Sequence, residues 1–295
     1  MAYSVIQSAK GTSQALTCTA TYSTANLTSG TKLVAVTVNA GNANPASTVK
    51  DGAGNSFTKI LAQNLNNSNT NGELSVWAID TPAGDAGTKP AITVTLTGTG
   101  IPDVALLIQE VSGLATGNTL AAMVDGTAAA NFGTGGASTG SPSYTSTAAA
   151  EYLVSAYGDN GGPETWTKPS GTTSDANSIN SSSLNDLAFA WKDSTNGTEA
   201  GSWSLTGTGT PWATILFAFK LAAAGPSPSG TVMPLPPSRV PRRAVTRGRT
   251  GGAALAAAGS VGTGNAAPVT GTPPPPQYQV LGRTARLAET YRLVT

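Results

Sequence analysis

The sequence predicts an all-β sandwich body followed by an extended, mostly irregular C-terminal arm. Three observations carry that expectation. Residues 1–221 are rich in Thr, Ser, Gly, Asn, Ala and Val and poor in charge; Thr and Val suit pleated, half-buried surfaces, while Gly, Asn and Ser suit turns. Short apolar or alternating runs recur between turn clusters, and no stretch carries a sustained helical stripe of Glu, Lys and Leu. The charges also separate along the chain. Residues 1–221 hold fourteen carboxylates against eight Lys, a net of −6, and residues 222–295 hold only Glu289 against eight Arg, a net of +7. The overall charge of +1 therefore combines an acidic body with a basic tail, an asymmetry that points to a partner for the tail.

Within the body, strands are expected at 32–39, 56–61, 74–80, 91–97 and 104–111, bounded by turn clusters at 39–45, 64–72 and 81–87. A second set follows at 152–157, 164–168, 186–193, 201–205 and 212–221. The two sets match in order. Leu33-Val34-Ala35-Val36 corresponds to Leu153-Val154-Ser155-Ala156, and Phe57-Thr58-Lys59 to Trp166-Thr167-Lys168. The run from Leu74 to Asp80, with Trp77, corresponds to the run from Leu187 to Asp193, with Trp191. Leu96-Thr97-Gly98-Thr99-Gly100-Ile101-Pro102 corresponds to Leu205-Thr206-Gly207-Thr208-Gly209-Thr210-Pro211. Four matches in one order predict two similar halves, together about ten strands in two packed sheets. Each Leu-Thr-Gly-Thr-Gly-x-Pro segment reads as a hairpin, with Pro102 and Pro211 opening the next strand. Neither is a phosphate loop, because no Gly-x-x-x-x-Gly-Lys-Ser/Thr exists.

The pattern stops after Leu221. Residues 222–276 form a Pro/Gly/Ala-rich basic linker, with five arginines at Arg239, Arg242, Arg243, Arg247 and Arg249 and a polyproline spacer at 273–276. Residues 277–295 recover an apolar-basic alternation: Tyr278, Leu281, Leu287 and Tyr291 stand among Arg283, Arg286 and Arg292. This last piece is too short to form a core and is expected to be a C-terminal anchoring peptide. The arginine cluster suits bidentate docking on an acidic protein surface. It lacks the interleaved aromatics or the fold of a nucleic-acid binder, and a merely solvated basic linker is the plain alternative.

Chemistry is sparse. The chain has no histidine and one cysteine, Cys18, which removes Ser-His-Asp and Cys-His arrangements, most zinc sites and any intrachain disulfide. Paired carboxylates are the remaining hydrolytic route. Asp51, Glu73, Asp80, Glu110, Asp125, Glu151 and Asp193 qualify by type, but none sits in a motif. Asp51, in Lys50-Asp51-Gly52-Ala53-Gly54-Asn55, reads first as a turn-capping carboxylate and second as a calcium ligand without EF-hand spacing. No catalytic residue, cofactor site or metal site is expected. The five tryptophans read mainly as core; Trp166, between Gly161-Gly162-Pro163 and Lys168-Pro169, is the candidate for an exposed ring and a glycan contact. The first residues carry neither a basic n-region nor an apolar h-region, and no run of eighteen apolar residues exists, so neither a signal peptide nor a membrane partner is expected.

Residues 30–221 resemble a β-sandwich domain common in phage structural proteins and bacterial surface proteins. The residues that carry the likeness are Val49-Lys50-Asp51-Gly52-Ala53-Gly54-Asn55-Ser56-Phe57, Leu74-Ser75-Val76-Trp77, Ile92-Thr93-Val94-Thr95-Leu96, Glu110-Val111-Ser112-Gly113 and Ala213-Thr214-Ile215-Leu216-Phe217-Ala218-Phe219-Lys220. The resemblance implies a jelly-roll-like fold and a virion or surface context, and no reaction. The expectation is a non-enzymatic phage virion protein made in the host cytoplasm: a head decoration, minor capsid or minor tail protein, present in multiple copies. Its arm would contact other virion proteins rather than nucleic acid. A carbohydrate-binding module for host adsorption is the second reading, and a paired-carboxylate glycosidase the third.

Overall fold

The computed structural model describes residues 2–40, 44–140, 142–161, 165–180, 185–206 and 210–223. The arm beyond residue 223 lies outside the described residues, and with it every arm residue named above. The body is all-β. Its strands are β1 (Ser4–Gln14), β2 (Thr17–Thr21), β3 (Lys32–Ala40), β4 (Ala46–Lys50), β5 (Thr58–Asn64), β6 (Gly72–Asp80), β7 (Ala91–Leu96) and β8 (Asp103–Ser112). One four-residue helix, α1 (Leu120–Met123), precedes β9 (Val124–Thr134), β10 (Ser143–Thr145), β11 (Ala149–Asp159), β12 (Thr165–Thr167), β13 (Thr173–Ser174), β14 (Leu187–Thr195), β15 (Thr198–Ala200), β16 (Ser204–Thr206) and β17 (Pro211–Phe219).

Among the described residues, seventeen strands in five antiparallel sheets replace the expected ten in two. The first half builds a five-stranded sheet, β1-β8-β3-β6-β5, and a three-stranded sheet, β2-β7-β4. The second half builds β9-β17-β11-β14-β13 and two short pairs, β10-β15 and β12-β16. The strand orders correspond one for one, with β9, β17, β11, β14 and β13 in the places of β1, β8, β3, β6 and β5. Three of the four sequence matches fall on corresponding strands. The match of Phe57-Thr58-Lys59 with Trp166-Thr167-Lys168 does not: β12 pairs with β16 as β4 pairs with β7, so Trp166 takes the place of β4.

The two five-stranded sheets pack face to face, so the body has four layers. Alternation decides which residue goes where. In β3, Val34, Val36 and Val38 point into the seam between halves, against Val154, Phe189, Ile215 and Phe217. Leu33 and Ala35 point the other way, against Cys18, Val49, Ile92 and Val94. A third cluster joins Tyr157, Ala190 and Trp212 to Trp203 and Leu205 in the outer layer of the second half. Strands buried on both faces need apolar side chains at every position, which is why β3, β6, β8 and β17 read as nearly continuous apolar runs.

Polar residues stitch the seam. Asp175 accepts from Gln109 Nε2 at 2.5 Å and Ser8 Oγ at 2.9 Å, and Tyr152 Oη donates to Gln109 Oε1 at 2.5 Å. The Leu-Thr-Gly-Thr-Gly-Ile-Pro segment is no hairpin. It carries the chain from β7 in the outer sheet to β8 in the inner one, and β16 and β17 are likewise in different sheets. Gly98 and Gly100, at φ +110° and +124°, make that sharp passage possible.

Candidate functional site

The site residues expected from sequence separate into three groups. The arm residues lie outside the described residues. The tryptophans are mostly packing: Trp77, Trp203 and Trp212 are buried, and Trp191 and Trp166 are half-buried. Trp166, the expected glycan contact, meets Trp203 edge-on with ring centroids 5.6 Å apart. Its Nε1 is buried without a hydrogen-bond partner, so its polar edge turns inward rather than to the surface. Cys18 is buried in the first sandwich.

The carboxylates have structural partners. Asp51 Oδ1 accepts from the backbone N–H of Ala53 and Asn55, at 2.9 and 2.8 Å, and Oδ2 accepts from Asn55 Nδ2 at 2.7 Å, the turn-capping geometry expected from its neighbours. Asp80 pairs with the buried Lys32. Glu110 is fully buried and accepts from Gln7 Nε2, Thr28 N and Thr31 Oγ1 at 2.7, 2.7 and 3.0 Å. Asp193 lies beside the Tyr3 hydroxyl.

Two pairs of carboxyls are in direct contact. Burial and the neighbouring Asp51 carboxylate push Asp85 up to about 6. Burial and the Asp125 carboxylate push Glu151 up to about 7, against the opposing charge of Lys220. Glycosidases hold their two carboxyls roughly 5–9.5 Å apart, with room for the scissile bond. In each pair one carboxylate disfavours ionisation of its neighbour, and Asp125 is further committed to Thr147 N and Oγ1.

A raised carboxyl pKa has a defined sign. The contribution of Glu151 to stability is fully present below the ordinary value of 4.5 and is lost as pH rises through about 7. Glu151→Gln supplies a permanent donor to Asp125. It is expected to raise stability at pH 8 on the order of 1–2 kcal/mol, and to flatten the decline in melting temperature between pH 5 and 8. Scanning calorimetry across that range checks it; an unchanged slope would remove Glu151 as the titrating group.

The Glu73 carboxylate faces a cavity at one end of the first sandwich. Glu73 sits in the middle of a row formed by Asn39, Glu73 and Asn64, directly opposed across β3, β6 and β5 at one end of the sheet. Opposed residues share a face, here the face toward the outer sheet of the first sandwich. A cavity of about 260 Å³ opens there, lined by Asn44, Pro45, Asn64, Gly72 and Glu73. Glu73 Oε1 accepts from Ala46 N at 3.2 Å and lies 3.6 Å from Lys59 Nζ. Burial pushes the Glu73 carboxyl up, and the Lys59 charge opposes that rise. Lys59 itself lies over the Trp77 ring, 4.6 Å from its centroid. The side-chain Nδ2 atoms of Asn39 and Asn44, both in residues at most 2% exposed, have no hydrogen-bond partner. Sequence reasoning named Glu73 by type and missed the asparagines.

At the C-terminal end of the body, Leu221 bridges Leu114 and Ala222 N donates to Gly113 O at 2.8 Å. The start of the linker is thus tied to the turn after β8. Among the described residues, no cluster of three or more His, Cys, Asp or Glu side chains is placed to hold a metal ion. No helix among them is long and apolar enough to cross a membrane. In comparisons with known proteins, no family model, no curated protein and no solved structure matches this chain.

Proposed function

We propose that the chain is a non-enzymatic structural protein of a bacteriophage particle, displayed on the surface of the head or tail and held there by its basic arm. The observation that carries this reading is the division of charge, a body of net −6 joined to an arm of net +7. A long basic segment without the composition of a core gains order by docking on a partner, and its arginines suit acidic protein surfaces. Copies on a symmetric shell make weak contacts effective through avidity.

The strand order supports a jelly-roll reading of each half. In the first, β1-β8-β3-β6 faces β2-β7-β4, and the entry to β5 closes the outer sheet: Ser56 bridges Lys50 and Phe57 N donates to Val49 O at 2.9 Å. That arrangement supports the two-Greek-key order of a jelly roll, an architecture frequent in capsid and lectin domains. The inner sheets of the two halves are consumed in the seam, which leaves the outer layers and the loops to face the surroundings.

The test is incorporation. Particles assembled with the full chain are expected to contain it by mass spectrometry and cryo-EM, and its absence from purified particles would remove the virion reading. Deleting 277–295 is expected to leave a soluble, folded body that no longer joins the particle. Changing Arg239, Arg242, Arg243, Arg247 and Arg249 to Gln is expected to weaken attachment and reduce its sensitivity to salt. Normal incorporation of a chain ending at Leu221 would assign attachment to the body instead.

A further inference from the structure

We propose that the cavity at the end of the first sandwich binds one neutral, hexose-sized polyol, with Asn44 donating to a ligand oxygen and Glu73 accepting from a ligand hydroxyl. The virion reading is not required for this.

The argument starts from unmet hydrogen-bonding capacity. A buried donor without a partner costs free energy comparable to a lost hydrogen bond. One such donor, Asn44 Nδ2, stands in the wall of the cavity. Asn39 Nδ2, at the position directly opposed to Glu73, and Thr37 Oγ1, two residues earlier on the same face of β3, are further buried atoms without a partner. A ligand that brings several oxygens at once would satisfy groups that no part of the described protein reaches.

Charge then selects among ligands. An anion would meet the Glu73 carboxylate. A cation would meet Lys59, whose Nζ is 3.6 Å from Glu73 Oε1 and already neutralises it. A neutral molecule rich in hydroxyls meets neither penalty, because each hydroxyl both donates and accepts. An amide donor beside a carboxylate acceptor matches adjacent hydroxyls of a sugar ring.

Size and access agree. The cavity, about 260 Å³, falls below the roughly 300–1,000 Å³ of drug-sized pockets and accommodates one small ring. Gly72 contributes only backbone to the lining: its φ is +110°, and a Cβ there would stand 1.9 Å from the Asn39 carbonyl oxygen of the paired strand, so the position takes only glycine. The position is one end of the first sandwich, where the strand-end residues Asn64, Gly72 and Glu73 and the residues Asn44 and Pro45 ahead of β4 bound the space.

The experiment is a titration of the full chain, labelled with ¹⁵N, with glucose, galactose, mannose, rhamnose and N-acetylglucosamine, each as the free sugar and the methyl glycoside. Sodium phosphate and calcium chloride serve as charged comparisons. At least one sugar is expected to shift the side-chain amide signal of Asn44, with a Kd of roughly 1–10 mM, as befits so small a ligand. Asn44→Ala assigns its own signal and is expected to weaken binding about tenfold, as is Glu73→Gln, whose Oε1 can still accept from Ala46 N. Unchanged backbone spectra of both variants establish that they fold. Equal binding of the methyl glycoside marks the terminal unit of a glycan as the fitting form; binding of the free sugar alone marks a soluble monosaccharide. Shifts with phosphate or calcium but with no sugar overturn the proposal. So does the absence of any sugar-induced shift up to about 50 mM, or sugar binding that Asn44→Ala leaves intact. Particle incorporation is scored separately, so loss of either function leaves the other interpretable.

Discussion

Residues 1–117 produced alone are expected not to fold. The order of strands repeats between the halves, and repetition commonly marks units that fold independently. Here the seam argues otherwise. The first half contributes Val34, Val36, Val38, Leu74, Val76 and Leu107 to a cluster whose other wall is Val154, Phe189, Ile215 and Phe217. Fully burying one such side chain stabilises by about 1.5–3 kcal/mol, so the first half's share of the seam is on the order of 10 kcal/mol. That equals the whole net stability of an ordinary domain, about 5–15 kcal/mol. Removing the second half would also leave Gln109, fully buried in the body, without Asp175 and Tyr152. The expected result is an aggregating or molten species that binds a hydrophobic dye and lacks dispersed amide signals. The full body should melt in one transition. A dispersed spectrum and a cooperative melt from residues 1–117 would show that the seam joins two domains that are already stable.

The seam also explains what could be read in the sequence. Central strands buried on both faces are continuous apolar runs, so β3, β6, β8 and β17 stand out by composition. Edge and outer strands do not. β1, Ser-Val-Ile-Gln-Ser-Ala-Lys-Gly-Thr-Ser-Gln, and β9, Val-Asp-Gly-Thr-Ala-Ala-Ala-Asn-Phe-Gly-Thr, alternate weakly because part of each faces solvent. Those strands escaped the sequence reading, as did β2 and β4. Continuous apolar runs hide their own two-sidedness, so the four-layer stack was illegible. The Gly-Thr-Gly segments were misread for a local reason. Positive φ serves a hairpin and a passage between sheets equally well, and only strand pairing distinguishes them. The cavity was hidden differently: Asn39, Asn44, Asn64 and Glu73 are scattered in sequence, and in a chain this rich in asparagine each reads first as a turn residue. Trp166 drew attention because glycines and prolines flank it, but its neighbour in space, Trp203, lies thirty-seven positions away in sequence.

Trp203→Ala is expected to be among the most damaging single substitutions in the body, lowering stability by about 3–5 kcal/mol. Trp203 is fully buried and anchors the outer layer of the second half. That layer consists of two short pairs, β10-β15 and β12-β16, with few ladder hydrogen bonds of their own. Side-chain packing therefore holds it to the inner sheet. The indole lies 5.8 Å from the Tyr157 ring and 5.6 Å from Trp166, centroid to centroid, and its Nε1 donates to Ser155 Oγ at 2.9 Å. Its backbone exchanges hydrogen bonds with Thr139: Trp203 N donates to Thr139 Oγ1 at 3.0 Å and Thr139 N donates to Trp203 O at 2.9 Å. Truncation to Ala opens a cavity between two layers and removes the support beneath Trp166. For a body of this size the loss corresponds to a fall in melting temperature of roughly 6–20 °C. Trp203→Phe should fall between wild type and Ala, because it keeps most of the packing and loses the bond to Ser155. Because the halves share one seam, the whole body should still melt in a single transition at the lower temperature. Calorimetry reads the shift, and tryptophan emission should move to longer wavelength as the Trp166 ring becomes wetter. A melting temperature within about 2 °C of wild type, with emission unchanged, would mean that the short pairs are held by their backbone ladders and not by this ring.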